Sequence, residues 1–204
     1  MNFSIIESGV ALTTVSTFRS PPTSLSGTRI RYGSLAQAFH WLTASLVLAA
    51  FLFAVGGPPA RVYGATNAAS LQLHESLGFA VFVLLIARLV WRWFDHIPES
   101  PPMPSWMDVA SKTTHWALYA LLFAVPMTAI LGAWFGGHAI TVYGLGPLGP
   151  FFGTWNLGAS LGRIHGTLGD AIMWLAGLHA AAALYHHFFL RDRVLRQMLP
   201  GLGA

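Results

Sequence analysis

The chain has 204 residues, 54% hydrophobic and only 9% charged, with a mean hydropathy of +0.57. A soluble domain carries about 25% charged residues, so this is the composition of an integral membrane protein, and its eight Trp and fourteen Phe suit lipid-facing and interfacial surfaces. The lack of cysteine excludes disulfides, thiolate metal sites, iron–sulfur clusters and covalent c-type haem attachment. The net charge of +4 forms no basic stripe interleaved with aromatics, so no nucleic-acid partner is expected.

Residues 1–30 are rich in Ser and Thr, contain Pro21-Pro22 and hold no sustained apolar run. The stretch from Ile5 to Val15 includes Glu7 and no cleavage pattern, so it reads as a flexible N-terminal extension and not a signal peptide. A single membrane domain is expected over 31–200, with a short tail at 201–204. Its first span runs from about Ser34 to Val55 and stops at Gly56-Gly57-Pro58-Pro59. The second runs from about Ala69 to Trp93, and the prolines from Pro98 to Pro104 forbid its continuation. The third runs from about Ser111 to Phe135 with Pro126 inside it, and the fourth from about Gly162 to Leu190. Each reaches the roughly 20 residues needed to cross the hydrocarbon core. Between the last two, Gly136 to Gly158 is too apolar for a linker and too rich in Gly and Pro for a span. It is expected to fold over one mouth of the bundle. The fold class is therefore all-α, a bundle of four transmembrane helices.

Basic residues orient the bundle. With a cytoplasmic N-terminus, Arg19, Arg29, Arg31, Arg88, Arg92, Lys112, Arg191, Arg193 and Arg196 fall inside, and only Arg61 and Arg163 fall outside. That asymmetry follows the positive-inside rule and puts both termini in the cytoplasm.

Two histidines of the last span, His165 and His179, are fourteen residues apart. On an α-helix that spacing advances about 1400°, within roughly 40° of four turns, and rises about 21 Å, so both imidazoles face the same way at two depths. His40 opens the first span on the inner side, level with His179, and His74 opens the second on the outer side, level with His165. Ionisable side chains inside a membrane are rare and usually functional. Paired imidazoles on facing helices provide one nitrogen for each face of a porphyrin, so two stacked haems between the helices account for all four. Zinc or copper fits less well, because each pair lacks further ligands. A proton relay or a colourless His-containing transporter is the non-redox alternative. Glycine follows two of the histidines by four residues, at Gly78 and Gly169, removing bulk on nearly the same face. Either a flat macrocycle or a neighbouring helix can approach there. Met173 and the other methionines read as packing residues.

These residues stand in segments that resemble the bacterial cytochrome b561 family. The segments are Phe39-His40-Trp41-Leu42, Leu73-His74-Glu75-Ser76-Leu77-Gly78, Arg88-Leu89-Val90-Trp91-Arg92, His115-Trp116-Ala117-Leu118-Tyr119, Pro126 and His165-Gly166-Thr167-Leu168-Gly169. The closing block from Gly177 to Phe188, with Arg191-Asp192 and Leu199-Pro200, is the most specific, and the likeness spans about Tyr32 to Pro200. The resemblance implies a four-helix protein of a bacterial inner membrane with two haems b, ligated by His40, His74, His165 and His179, and moving electrons between a quinone and a redox partner. It is nearest to members that look like superoxide:ubiquinone oxidoreductases, with superoxide oxidised outside and ubiquinone reduced near the inner side. The alternative it implies is an anchor subunit carrying electrons between quinone and a dehydrogenase or hydrogenase. The long extension and the glycine-rich outer loop depart from the usual pattern.

Further polar residues acquire readings against that resemblance. His115, level with the inner pair, is a candidate to hydrogen-bond a quinone carbonyl or a haem propionate, and otherwise faces headgroups. His186, seven residues beyond His179 and within about 20° of its face, is a candidate quinone or proton donor at the cytoplasmic mouth. Arg88 and Arg92, four apart, are candidates for a propionate, with snorkelling as the simpler reading. Arg163 and Arg61 would draw a small anion to the outer face. Asp170 is a candidate partner of Arg163, and Glu75 is placed to orient an outer group. His187 reads as a headgroup contact and His96 as solvated; His138 carries no specific reading.

Overall fold

A computed structural model of the protein describes residues 31–54, 68–95, 102–153 and 156–199. The extension 1–30, Arg61, His96, Pro200 and the tail 201–204 lie outside the described residues.

Four long helices form the bundle: α1 (Ser34–Leu52), α2 (Ala68–Phe94), α3 (Ser105–Phe135) and α4 (Leu157–Tyr185). All four are long and apolar enough to cross a membrane. Their outward faces carry large apolar side chains, with Trp93 87%, Trp116 77% and Trp174 78% exposed, a surface suited to lipid. Within the bundle, Val81, Leu85, Leu122 and Ile172 form a buried layer, with Leu46, Val47, Leu118, Tyr119 and Met173 packed around it.

Two helices start earlier than hydropathy predicts. Helix α3 begins at Ser105, not near residue 111, because Pro104 stands at its N-cap and the polar first turns are helical in their own right. Asp108 in the first turn suits the positive helix end, and its carboxylate meets Lys112 four residues on at 2.7 Å. Helix α4 begins at Leu157, not near 162, through glycines that read as breakers in the sequence. Those glycines are contact residues. A Cβ on Gly158 would lie 2.5 Å from the Gly136 nitrogen, and one on Gly132 would lie 3.2 Å from the Gly162 nitrogen. Gly132 and Gly136 thus cross Gly158 and Gly162, each pair spaced by four, as small residues do where membrane helices approach closely. Pro126 lies buried inside α3, which continues through it.

The segment after α3 holds a β-hairpin that the sequence reading did not anticipate. Strands β1 (Ile140–Val142) and β2 (Gly146–Leu148) pair antiparallel, with Ile140 opposite Leu148 and Val142 opposite Gly146. Positive φ at Gly144 (80°) and Gly146 (78°) allows the short connection. Buried Ile140 and Val142 pack with Ala133, Phe79, Ile130 and Trp134. The Thr141 N–H donates to the Glu75 carboxylate (2.8 Å), the Tyr143 N–H to Ser76 Oγ (3.0 Å) and the Trp134 indole N–H to the Leu148 carbonyl (3.0 Å). The hairpin therefore covers one end of the bundle, as expected of that loop.

At the other end, α4 passes into a π-helical turn, His186–Leu190, closed by Arg191 in the left-handed region (φ 54°), and a short helix α5 (Val194–Met198) follows. The last turn of α5 and the residue after it are tied to the start of α1. Trp41 Nε1 donates to the Met198 carbonyl (2.7 Å), Gln37 Nε2 donates to the Gln197 carbonyl (3.1 Å), and the Arg31 guanidinium donates to the Leu199 carbonyl.

Candidate functional site

The four span histidines meet in two cross-helix pairs, one at the hairpin end and one at the end where the described chain begins and ends, the termini end. His74 of α2 and His165 of α4 face each other with ring centroids 6.0 Å apart and planes at 80°. His40 of α1 and His179 of α4 are 6.4 Å apart at 68°. The pairing by depth expected from the sequence is the pairing seen.

At the hairpin end both rings are anchored through one nitrogen. His74 Nδ1 donates to the Ala50 carbonyl (2.7 Å) and His165 Nδ1 to the Val125 carbonyl (2.8 Å). Ala50 is open to this because α1 is ending: the Phe53 N–H bonds Ala49 and the Ala54 N–H bonds Phe51, leaving the Ala50 oxygen to the imidazole. A proton fixed at Nδ1 leaves the Nε2 lone pair of each ring available to a metal.

Around this pair lies a cavity, partly open to the surroundings, lined by His74, His165, Glu75, Gly78, Gly169 and Met173 among apolar side chains. A Cβ on Gly78 or Gly169 would meet nothing within 4 Å, and the same holds for Gly177 near the other pair. These glycines face open space, whereas Gly132 and Gly158 face a helix. Gly78 and Gly169 thus border the cavity, while Gly132 and Gly158 make the helix contact.

The termini-end pair has a different setting. The His115 ring of α3 packs edge-on against His179, centroids 5.3 Å apart, with its other side exposed. Arg88 and Arg92 reach over the ring of Tyr119, their guanidinium carbons 5.4 and 5.8 Å from its centroid. Just before α1, burial pushes the Tyr32 hydroxyl above its usual range, while Arg92 pulls it down. His186 Nδ1 is hydrogen-bonded to the Asp192 carboxylate, whose other oxygen accepts the Val194 N–H at 3.0 Å. Asp192 escaped the sequence reading as a partner, because only the π-turn brings it back to His186; the six-residue spacing carried no signal. Glu75 is engaged by the hairpin, Arg163 donates to Ser160 Oγ (3.0 Å), and the His187 ring packs on Phe188.

Paired imidazoles at two levels of a four-span apolar bundle are an arrangement suited to a membrane cytochrome of the b type. The chain belongs to the prokaryotic cytochrome b561 family, whose model matches residues 31–201. It is 31% identical to cytochrome b561 homolog 2 of Escherichia coli over 86% of this chain and 95% of that one. It is 30% identical to the probable superoxide oxidase CybB of Yersinia pestis over 83% and 96%. It is 31% identical to a cytochrome b562 of Cereibacter sphaeroides over 82% and 94%. The protein is thus a bacterial membrane electron-transfer protein.

Membership implies haem b, and the residues present fit it. With about 2.0 Å from metal to imidazole nitrogen and about 1.1 Å more to the ring centre, rings on opposite sides of one metal have centroids about 6.2 Å apart. Both pairs match that separation. Among the described residues no cluster of three or more His, Asp or Glu forms a metal site of another kind. The open faces at Gly78 and Gly169, which line the cavity, are where a Cβ would meet a flat macrocycle.

Proposed function

We propose that the protein is a di-haem b oxidoreductase of a bacterial inner membrane, with one haem held by His74 and His165 and the other by His40 and His179. It carries electrons from superoxide to ubiquinone. The observation that carries the reading is the pair of imidazole separations, 6.0 and 6.4 Å, that α4 makes with α2 and with α1 at two levels. The excess of basic residues at the termini end supports cytoplasmic termini and a periplasmic hairpin. The Yersinia pestis relative's name supports superoxide as donor.

Each haem, when bound, supplies reversible one-electron chemistry. The chain supplies position and polarity. Carbonyls of Ala50 and Val125 hold the His74 and His165 rings in the ligating tautomer. The layer of Val81, Leu85, Leu122 and Ile172 keeps water out of the space between the two levels, which lie about 21 Å apart by helix rise. Arg88 and Arg92, steadied on Tyr119, stand at the end where propionates would be neutralised. Balance requires two superoxide ions to lose one electron each, giving two dioxygen molecules, while the quinone takes two electrons and two protons to become quinol. His186, with its Nδ1 proton directed at Asp192, keeps Nε2 free to pass a proton at the cytoplasmic mouth.

The test is quinone reduction by purified protein in lipid, driven by an enzymatic superoxide source. Quinol formation that stops on adding superoxide dismutase supports the reading. No quinol with a fully haem-loaded protein rejects superoxide as donor.

A further inference from the structure

The bundle is built from two halves on one plan. In α1–α2, His40 opens the first helix, and the carbonyl ten residues later, Ala50, holds the Nδ1 of His74. In α3–α4, His115 stands early in the first helix, and the carbonyl ten residues later, Val125, holds the Nδ1 of His165. Fourteen residues beyond His74 stands Arg88, and fourteen beyond His165 stands His179. The plan therefore equates His115 with His40 and Arg88 with His179, and brings three imidazoles and one guanidinium to the termini end.

Three imidazoles make one facing pair and leave one over. His40 and His179, 6.4 Å apart, leave room for a metal between them; His115 and His179, at 5.3 Å, are in ring contact and do not. The leftover ring lies edge-on to His179 at 70°, on the helix that also anchors the other histidine of α4. The geometry points to His115 as the positioning residue of His179, a side-chain counterpart of the carbonyls that orient His74 and His165. An edge contact resists rotation of the His179 ring and holds its plane at 68° to that of His40. Groups that orient a ligating imidazole set its basicity and ring plane, and with them the properties of the bound metal. This role rests on the ligation proposed above.

The test uses the full-length haem-loaded protein and the variants His115→Ala, His115→Leu and His115→Phe. Haem content, the ferric low-spin EPR signals and the two midpoint potentials are read together. The expected result is two haems per chain in each variant, with one EPR signal and one midpoint displaced in His115→Ala and His115→Leu and the other haem unchanged. His115→Phe, which keeps a ring edge against His179, returns the displaced signal toward that of the parent. Unchanged signals and midpoints in His115→Leu overturn the inference, as does loss of one haem in His115→Ala while His40→Ala keeps both. Should His115→Ala fail to accumulate, Leu against Phe decides alone. If His179→Ala retains two haems, the ligation reading has failed instead.

Discussion

Replacing Gly78 by leucine separates a haem cavity from a mere packing defect, because the two predict opposite signs. A Cβ at Gly78 meets no atom within 4 Å, so the protein alone accepts the side chain without a clash. Removing glycine from the interior of α2 improves helix stability by about 0.5–1 kcal/mol. The same side chain enters the cavity lined by His74 and His165, where a macrocycle would have to yield. Overpacking costs about 1–3 kcal/mol, and at 1.4 kcal/mol per tenfold that weakens haem binding about 5- to 140-fold. The assay is haem per chain by pyridine haemochrome and by titration, beside thermal unfolding of the haem-free protein. The variant should be at least as stable as the parent without haem and deficient in the hairpin-end haem. Two haems bound with parental affinity would refute the reasoning. Gly132→Leu is the contrasting control: the Gly162 backbone nitrogen lies 3.2 Å from its Cβ, so it should disrupt the α3–α4 contact whether or not haem is present.

Other perturbations address other parts. His165→Ala should remove the hairpin-end haem and spare the other, and His179→Ala the reverse, as read from which optical and EPR component disappears; the opposite assignment would refute the pairing. Glu75→Ala leaves the Thr141 N–H without its acceptor, a loss of about 1–3 kcal/mol. Amide exchange across residues 138–148 should then quicken about 5- to 140-fold, and unchanged exchange would remove Glu75 as the hairpin's clasp. Asp192→Asn should leave both haems and their midpoints intact while slowing quinol formation several-fold, because the His186 Nδ1 proton loses its carboxylate partner. An unaffected rate would exclude the pair from proton delivery.

Much of the architecture was legible in the sequence because the membrane constrains it strongly. Four apolar runs ended by Gly and Pro give four helices, and a fourteen-residue spacing on one of them gives two levels. The partners His40 and His74 followed from helix direction alone. What escaped was set by tertiary context. Glycine has the same letter at Gly78, where the backbone borders open space, and at Gly158, where it touches the end of α3, so the sequence places the start of α4 too late. The polar turns from Ser105 to Lys112 lie below any hydropathy threshold yet are helical, steadied by Asp108 and Lys112. The hairpin did leave a trace, since β-branched Ile140-Thr141-Val142 followed by Tyr-Gly-Leu-Gly is a strand-and-turn pattern. The apolar residues around it mask that pattern. The contact of His115 with His179 depends on how α3 lies against α4, which spacing along one helix does not report.

The central claim is that two imidazole pairs hold two haems b, and haem stoichiometry with ligation state tests it most directly. The purified full-length protein should contain two haems b per chain by pyridine haemochrome, both giving low-spin, bis-imidazole EPR signals when oxidised. A protein with no haem, with a single haem, or with a five-coordinate high-spin centre at full loading would contradict the account.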